Sequence, residues 1–299
     1  MNKHVPGGIV SMLLLCFLFL ALLLVFPETA AEGGKNGLVL WATVLVPSLL
    51  PFSILTSLLR KKLQGNRLCY LLLTAGILSG YPIGAKIAGD LYQDGSLTKK
   101  QAVFLGSAIN NPSPMFVIFF VGESLLHLGP GKYFFYLTVL LSAFLGSVCF
   151  YLLTPLFHGR LSLHANSSGH PPVPCATFSE QLDEEISASA LLLIKIGGYV
   201  MLFSILARMI QSIPALPSVC QIPLCGLLEI TTGDAMICSS GIPHHAKIIL
   251  CLAFTAFGGL SAAAQTNSVL RNTGLSIVPY VIIKFLSSLF ALLLGVLLW

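Results

Sequence analysis

The sequence predicts an all-α polytopic membrane protein built as an inverted repeat. Three observations carry this reading. Apolar residues make up 56% of the 299 and charged residues only 9%, against about 25% charged in soluble domains. With a mean hydropathy of +0.89, too little polar surface remains to face water. Glycine, proline and amide residues interrupt several apolar runs, and the interruptions recur in matching positions along the chain.

The first run, Ile9 to Phe26, follows Lys3 and His4. Thr29-Ala30-Ala31 has the composition of a signal-peptidase site, but the run exceeds the usual 7–15 residues of a signal core. It is read as an extra N-terminal helix, followed by an external loop to residue 36. Gly37 to Leu59 is long enough to span, and Pro47 and Pro51 should bend or break it. Arg60, Lys61, Lys62 and Arg67 then mark a cytoplasmic end, which also places the N-terminus in the cytoplasm.

The next stretch, "CYLLLTAGILSGYPIGAKIAGDLYQDG" (Cys69 to Gly95), starts as a span and stops early. As a helix, Leu68 to Ser79 rises about 18 Å, little more than half of a ~30 Å hydrocarbon core. Lys99 and Lys100 lie just beyond. A re-entrant hairpin with its tip at Gly80 to Gly84 fits, and a short helix with a cytoplasmic loop is the alternative. Gln101 to Leu128 spans, with Asn110-Asn111-Pro112-Ser113-Pro114 at its centre, which implies an unwound segment. Lys132 to Phe157 returns.

Residues 158–185 form a polar cytoplasmic loop. Its histidines (His158, His164, His170) are read as solvated rather than metal-binding, and the sequon at Asn166 lies on the wrong side for use. Ile186 to Ile210 spans outward. Cys220 to Gly241 is a second short segment with a polar turn, "GLLEITTG". Lys247 to Leu270 spans with "FGGLSAAAQTN" at its middle, and Leu275 to Trp299 closes the chain. A shift of 149 residues brings Gly37 onto Ile186, Gly84 onto Gly233 and Asn110 onto Gly259. Each half, 37–157 and 186–299, thus reads as a span, a re-entrant hairpin, a broken span and a span, in opposite orientations. The basic residues agree: Lys3, Arg60, Lys61, Lys62, Arg67, Lys99, Lys100, Arg160 and Arg271 fall inside, against Lys35, Lys132, Arg208 and Lys247 outside. Inverted repeats with broken helices in matching positions mark secondary transporters and point to the substrate site.

The chemistry expected there follows. Half-helix N-termini near the midplane favour anions. Gly80, Asn110, Asn111, Ser113, Thr231, Thr232, Ser261 and Gln265 supply hydrogen-bonding groups. Lys86, Glu229 and Asp234 are the ionisable groups nearest the tips, while Lys195 and Lys284 lie within spans. A charge inside a membrane needs a partner or a function. For Lys86 the structural alternative is an ion pair with Asp90 on the same helical face.

Catalysis is not expected. The intramembrane aspartyl signature G-x-G-D has Thr231 at its first glycine, His244-His245 lacks H-E-x-x-H spacing, and no cofactor loop is present. The eight cysteines show no C-x-x-C spacing, so neither metal nor disulfide framework is expected. The net charge of +5 follows from topology and calls for no nucleic acid.

"VPSLLPF" (Val46 to Phe52), "SGYPIGAK" (Ser79 to Lys86), "LTKKQA" (Leu97 to Ala102), "NNPSPMFV" (Asn110 to Val117), "GLLEITTG" and "FGGLSAAAQ" (Phe257 to Gln265) resemble the sporulation integral membrane protein YlbJ family, part of the nucleoside-recognition, or Gate, domain group. That group is similar in architecture to the concentrative nucleoside transporter core. The resemblance implies a multi-pass transporter of a spore-forming bacterium, in the cell membrane or the membrane around the forespore. It further implies a small carboxylate such as dipicolinate as substrate, with Na+ or H+ as a coupling ion and no other cofactor. A nucleoside transporter, or a non-transporting Gate protein needed for sporulation, is the alternative.

Overall fold

The computed structural model describes residues 7–62, 66–154 and 177–299, and every regular element among them is helical. The histidines at 158, 164 and 170 and the sequon at Asn166 lie outside the described residues. Among the described residues, five helical stretches are long and apolar enough to cross a membrane: Pro27–Leu59, Gly131–Leu153, Phe178–Gln211, His244–Leu270 and Ile277–Leu298. Their outer faces carry large apolar side chains such as Leu137, Phe144, Leu293 and Val296, as lipid contact requires. The molecule is a multi-pass integral membrane protein.

Helix α1 (Gly7–Val25) leads into α2 (Pro27–Leu40). Residues 27–36, expected as a loop, are therefore helix. Pro27 sits at the first helical position, where its missing N–H is not needed. The expected break at Pro47 and Pro51 is also absent, because α2 runs through a π-helical turn (Trp41–Leu45) into α3 (Val46–Lys62). The widened turn lets the Val46 N–H reach back to Trp41 O. Ser48 Oγ donates to Val44 O and Leu45 O at 2.8 and 3.1 Å, and Thr56 Oγ1 to Phe52 O at 2.8 Å. Both hydroxyls bond back to carbonyls of their own helix, and the π turn lies directly ahead of Pro47, so the helix continues through both prolines.

Helices α4 (Asn66–Ser79) and α5 (Ile83–Gln93) form a tight pair around Gly80–Pro82. Then α6 (Lys99–Ile109), started by a Thr98/Gln101 capping box, stops at Asn110. After an irregular stretch the chain resumes as a π-helical segment, Met115–Leu125, followed by α7 (Gly131–Leu153). The interruption expected at Asn110 to Pro114 is present.

The second half opens with α8 (Phe178–Gln211), 34 residues long and started by a Thr177/Glu180 capping box. Residues 178–185, expected in the loop, are therefore helix. Helices α9 (Ser218–Leu228) and α10 (Ile230–Ser239) form another tight pair. Their turn is the single extended residue Glu229 rather than a loop from Gly226 to Gly233. Helix α11 (His244–Phe257) stops at Gly258, and α12 (Gly259–Leu270) restarts at once. Gly258 and Gly259 both have positive φ, 86° and 78°, a conformation that only glycine adopts cheaply. Helix α13 (Ile277–Leu298) ends the chain.

Both helix pairs cross at glycines. A methyl on Gly76 would stand 3.3 Å from Gly84 Cα, and one on Gly233 would collide with Gly226 Cα. Along the outside, α2 packs on α8 and α7 on α13. Gly33 and Gly37 let α2 approach the backbone of Ile205 and Met201. Two apolar clusters form the core, one around Ile83, Ile109 and Ile196, the other around Phe135, Ile230 and Leu252.

Candidate functional site

Four of the interruptions in the helices converge on one small cleft between the two apolar clusters. Tyr81 comes from the α4–α5 turn and Ser113 from the break after α6. Glu229 and Thr231 come from the α9–α10 turn, and Ser261 and Gln265 from α12. The opposite wall is apolar: Leu40, Leu45 and Leu49 from the α2–α3 rod and Val200 from α8.

The polar rim is built from helix starts. Ser113 precedes the π-helical segment and its Oγ accepts from Phe116 N at 3.3 Å. Thr231 lies in the first turn of α10 and Ser261 in that of α12. Orphan N–H groups and the helix dipole give such positions a positive potential. At α10 this potential is already met. Glu229, 5% exposed, accepts from Thr231 N and Thr231 Oγ1 at 3.1 and 2.9 Å, and from Thr232 N and Thr232 Oγ1 at 2.9 and 3.1 Å. By contrast, α12 begins with no side-chain cap. Gln265 Nε2 donates to Ser261 Oγ at 3.1 Å, leaving Gln265 Oε1 buried without a partner in the cleft wall. Glu229→Ala should therefore lower stability by about 0.5–2 kcal/mol, the cost of a lost N-cap, with Glu229→Gln in between. Thermal unfolding in detergent measures this.

Of the residues expected at the site, Ser113, Glu229, Thr231, Ser261 and Gln265 line the cleft, and Gly80 abuts Ser113. Thr232 serves by holding Glu229. Asn110 and Asn111 lie behind the wall, fully buried, and their amides bind protein. Asn110 Oδ1 accepts from Ala85 N at 3.1 Å, and its Nδ2 donates to Thr266 Oγ1 and Tyr280 Oη at 3.0 and 3.1 Å. Asn111 Nδ2 donates to Ala108 O at 2.7 Å, and the Asn111 backbone carbonyl accepts from Tyr81 N at 2.8 Å. These bonds tie the α4–α5 turn to the broken helix. Lys86 is also not in the cleft wall: it is half-buried on α5, with Nζ 3.4 Å from Ser57 Oγ. Asp234 is buried on α10 and accepts from Thr255 Oγ1 at 3.1 Å.

The residue that sequence reasoning passed over is Lys284. It is 2% exposed in the middle of α13, its Nζ donates to Asn111 Oδ1 at 2.6 Å, and it lies 5.6 Å from the Tyr280 ring centroid. A lysine within an apolar span, four residues after a tyrosine on the same face, was the available signal.

No family model matches the chain, and no solved structure matches it. The chain is similar to the sporulation integral membrane protein YlbJ of Bacillus subtilis (strain 168), with 26% identity over 336 residues, spanning 95% of this chain and 81% of that protein. Four of the motifs that carry the resemblance, those at Ser79 to Lys86, Asn110 to Val117, Gly226 to Gly233 and Phe257 to Gln265, lie on the turns and breaks around the cleft, and the similarity to the YlbJ protein runs along nearly the whole chain.

Proposed function

We propose that the protein is a secondary transporter of the sporulation programme that moves a small polar solute through this cleft by alternating access. The observation that carries the reading is the convergence of four helix interruptions on one cleft, two from each half. With the glycine crossings at Gly84 and Gly233 in register, it supports an inverted repeat of two re-entrant hairpins and two broken spans. Helices α4 and α5 rise about 21 and 16 Å, short of a ~30 Å core.

Dipicolinate is the first candidate solute. The family likeness points to it. The uncapped start of α12 and the start of the π-helical segment supply positive potential for a carboxylate, a role that the position of Lys86 no longer supports. A nucleoside is the second reading. Glu229 is the carboxylate among the cleft-lining residues, and Gln265 Oε1 offers an acceptor for a neutral N–H or O–H donor.

Proteoliposomes holding the purified protein test both, with sodium and proton gradients imposed separately. Dipicolinate uptake that exceeds nucleoside uptake, and that Gln265→Leu abolishes, is expected. Uptake of nucleoside alone would replace the substrate. No uptake of either under any gradient would favour a non-transporting role.

A further inference from the structure

A second, small cavity of about 20 Å³ lies among α5, α6, α12 and α13. Small residues make room for it: Ala85, Ala88, Ala102 and Gly106, with Ser107 and Tyr280 as polar lining. Three elements border both cavities, and their residue order fixes how the cavities are related. Along the stretch from α6 into its break, Ala102 to Ser107 line the second cavity, Asn110 follows, and Ser113 lines the cleft. On α12, Ser261 and Gln265 line the cleft, Thr266 follows, and Leu270 lines the second cavity. From the hairpin turn into α5, Tyr81 lines the cleft and Ala85 the second cavity, and the Ala85 N–H donates to Asn110 Oδ1. In each case the step between cavities falls at the level of Asn110, Thr266 and Tyr280, which are joined by the 3.0 and 3.1 Å bonds from Asn110 Nδ2.

We propose that the second cavity is the other vestibule of the same solute path, and that Asn110, Thr266 and Tyr280 form the closed gate between the two. The inference rests on the transport reading. The second vestibule lies toward the face that bears Lys99, Lys100 and Arg271, the cytoplasmic one by charge. Three side chains and two hydrogen bonds make a thin barrier. The hydroxyl of Tyr280 is its movable part, because a tyrosine ring turns about χ1 and χ2 without disturbing the backbone. A solute that offers hydrogen-bonding groups replaces the partners Asn110 loses on opening, so opening without solute is disfavoured.

Accessibility from the two sides of a sealed membrane tests the gate. Single cysteines at Ser107, in the second vestibule, and at Ser113, in the cleft, are placed in a variant with the eight native cysteines replaced. Each is exposed to an impermeant thiosulfonate from one side of a proteoliposome. With the gate intact, each cysteine should react at least about tenfold faster from its own side, the signature of a dominant closed state. Tyr280→Ala should bring that ratio close to one for both positions. Tyr280→Phe, which keeps the ring and drops only the hydroxyl, should lower it part of the way and serves if the alanine variant misfolds. Unchanged ratios in the folded variants would overturn the gate. Ratios that collapse in a protein carrying neither dipicolinate nor nucleoside would keep the gate and sink the transport reading. Transport with unchanged ratios would do the reverse.

Discussion

Lys284→Met protein is expected to be at least as resistant to heat as the parent, and to carry no solute. Two terms oppose each other. Removing the ammonium leaves Asn111 Oδ1 without its 2.6 Å donor, a loss of about 1–3 kcal/mol for a buried acceptor. It also removes the cost of holding a charge away from water, several kcal/mol even after the protein relaxes. Methionine fills nearly the same length beside Tyr280. The second term is the larger, so the melting midpoint in detergent should hold or rise. A residue that costs stability and remains is kept for what it does. Here it grips the unwound segment whose next residues, Pro112 and Ser113, line the cleft. A clearly lower midpoint would assign Lys284 to the fold instead. Undiminished uptake would remove it from the solute path.

Gly233→Val should prevent the second hairpin from closing. A Cβ there collides with Gly226 Cα, and one on Gly226 would press into the Phe254 ring at 2.6 Å. Overpacking costs about 1–3 kcal/mol where side chains yield. The obstacle at Gly233 is backbone, which yields only by splaying α9 from α10, so the loss should exceed that range. Gly198 on α8 provides the contrast, because nothing lies within 4 Å of its Cβ position. Gly198→Ala should instead raise stability by about 1 kcal/mol through helix propensity. Recovery of monodisperse protein and its melting midpoint measure both, and similar behaviour of the two variants would refute the crossing.

The class of the fold was legible because lipid imposes a composition that no soluble surface has. The interruptions were legible where the backbone needs an unusual residue: Gly80, the Asn-Pro run, and the paired glycines at 258 and 259. Proline was the less reliable sign. At Pro47 and Pro51 the sequence shows two helix breakers, yet the helix runs through both, with a π turn at Trp41–Leu45 directly ahead of Pro47. The site was half legible for a related reason. Polar residues at a break face either the cleft or the protein, and sequence does not tell which. Ser261 and Gln265 face the cleft. Asn110 and Asn111 are used up by Ala85, Tyr81, Thr266, Tyr280 and Lys284, residues up to 173 positions away. Lys86 drew attention because it stands beside a turn, whereas Lys284 stands in an uninterrupted helix and nothing near it in sequence marks its partner.

The rod of α2 and α3 and the long helix α8 carry a consequence for the lipid around them. The apolar stretch Gly37 to Leu59 rises about 35 Å, more than a ~30 Å hydrocarbon layer, so the rod is long enough to span with some tilt. Gly33 and Gly37 bind it to α8, and the two lean together. Leu40, Leu45, Leu49 and Val200, which form one side of the cleft, ride on these two helices. A thinner bilayer increases the lean and a thicker one rights it. Acyl-chain length therefore sets the width of the cleft from outside the protein. Purified protein should work fastest in lipids of one chain length and lose activity on either side of it.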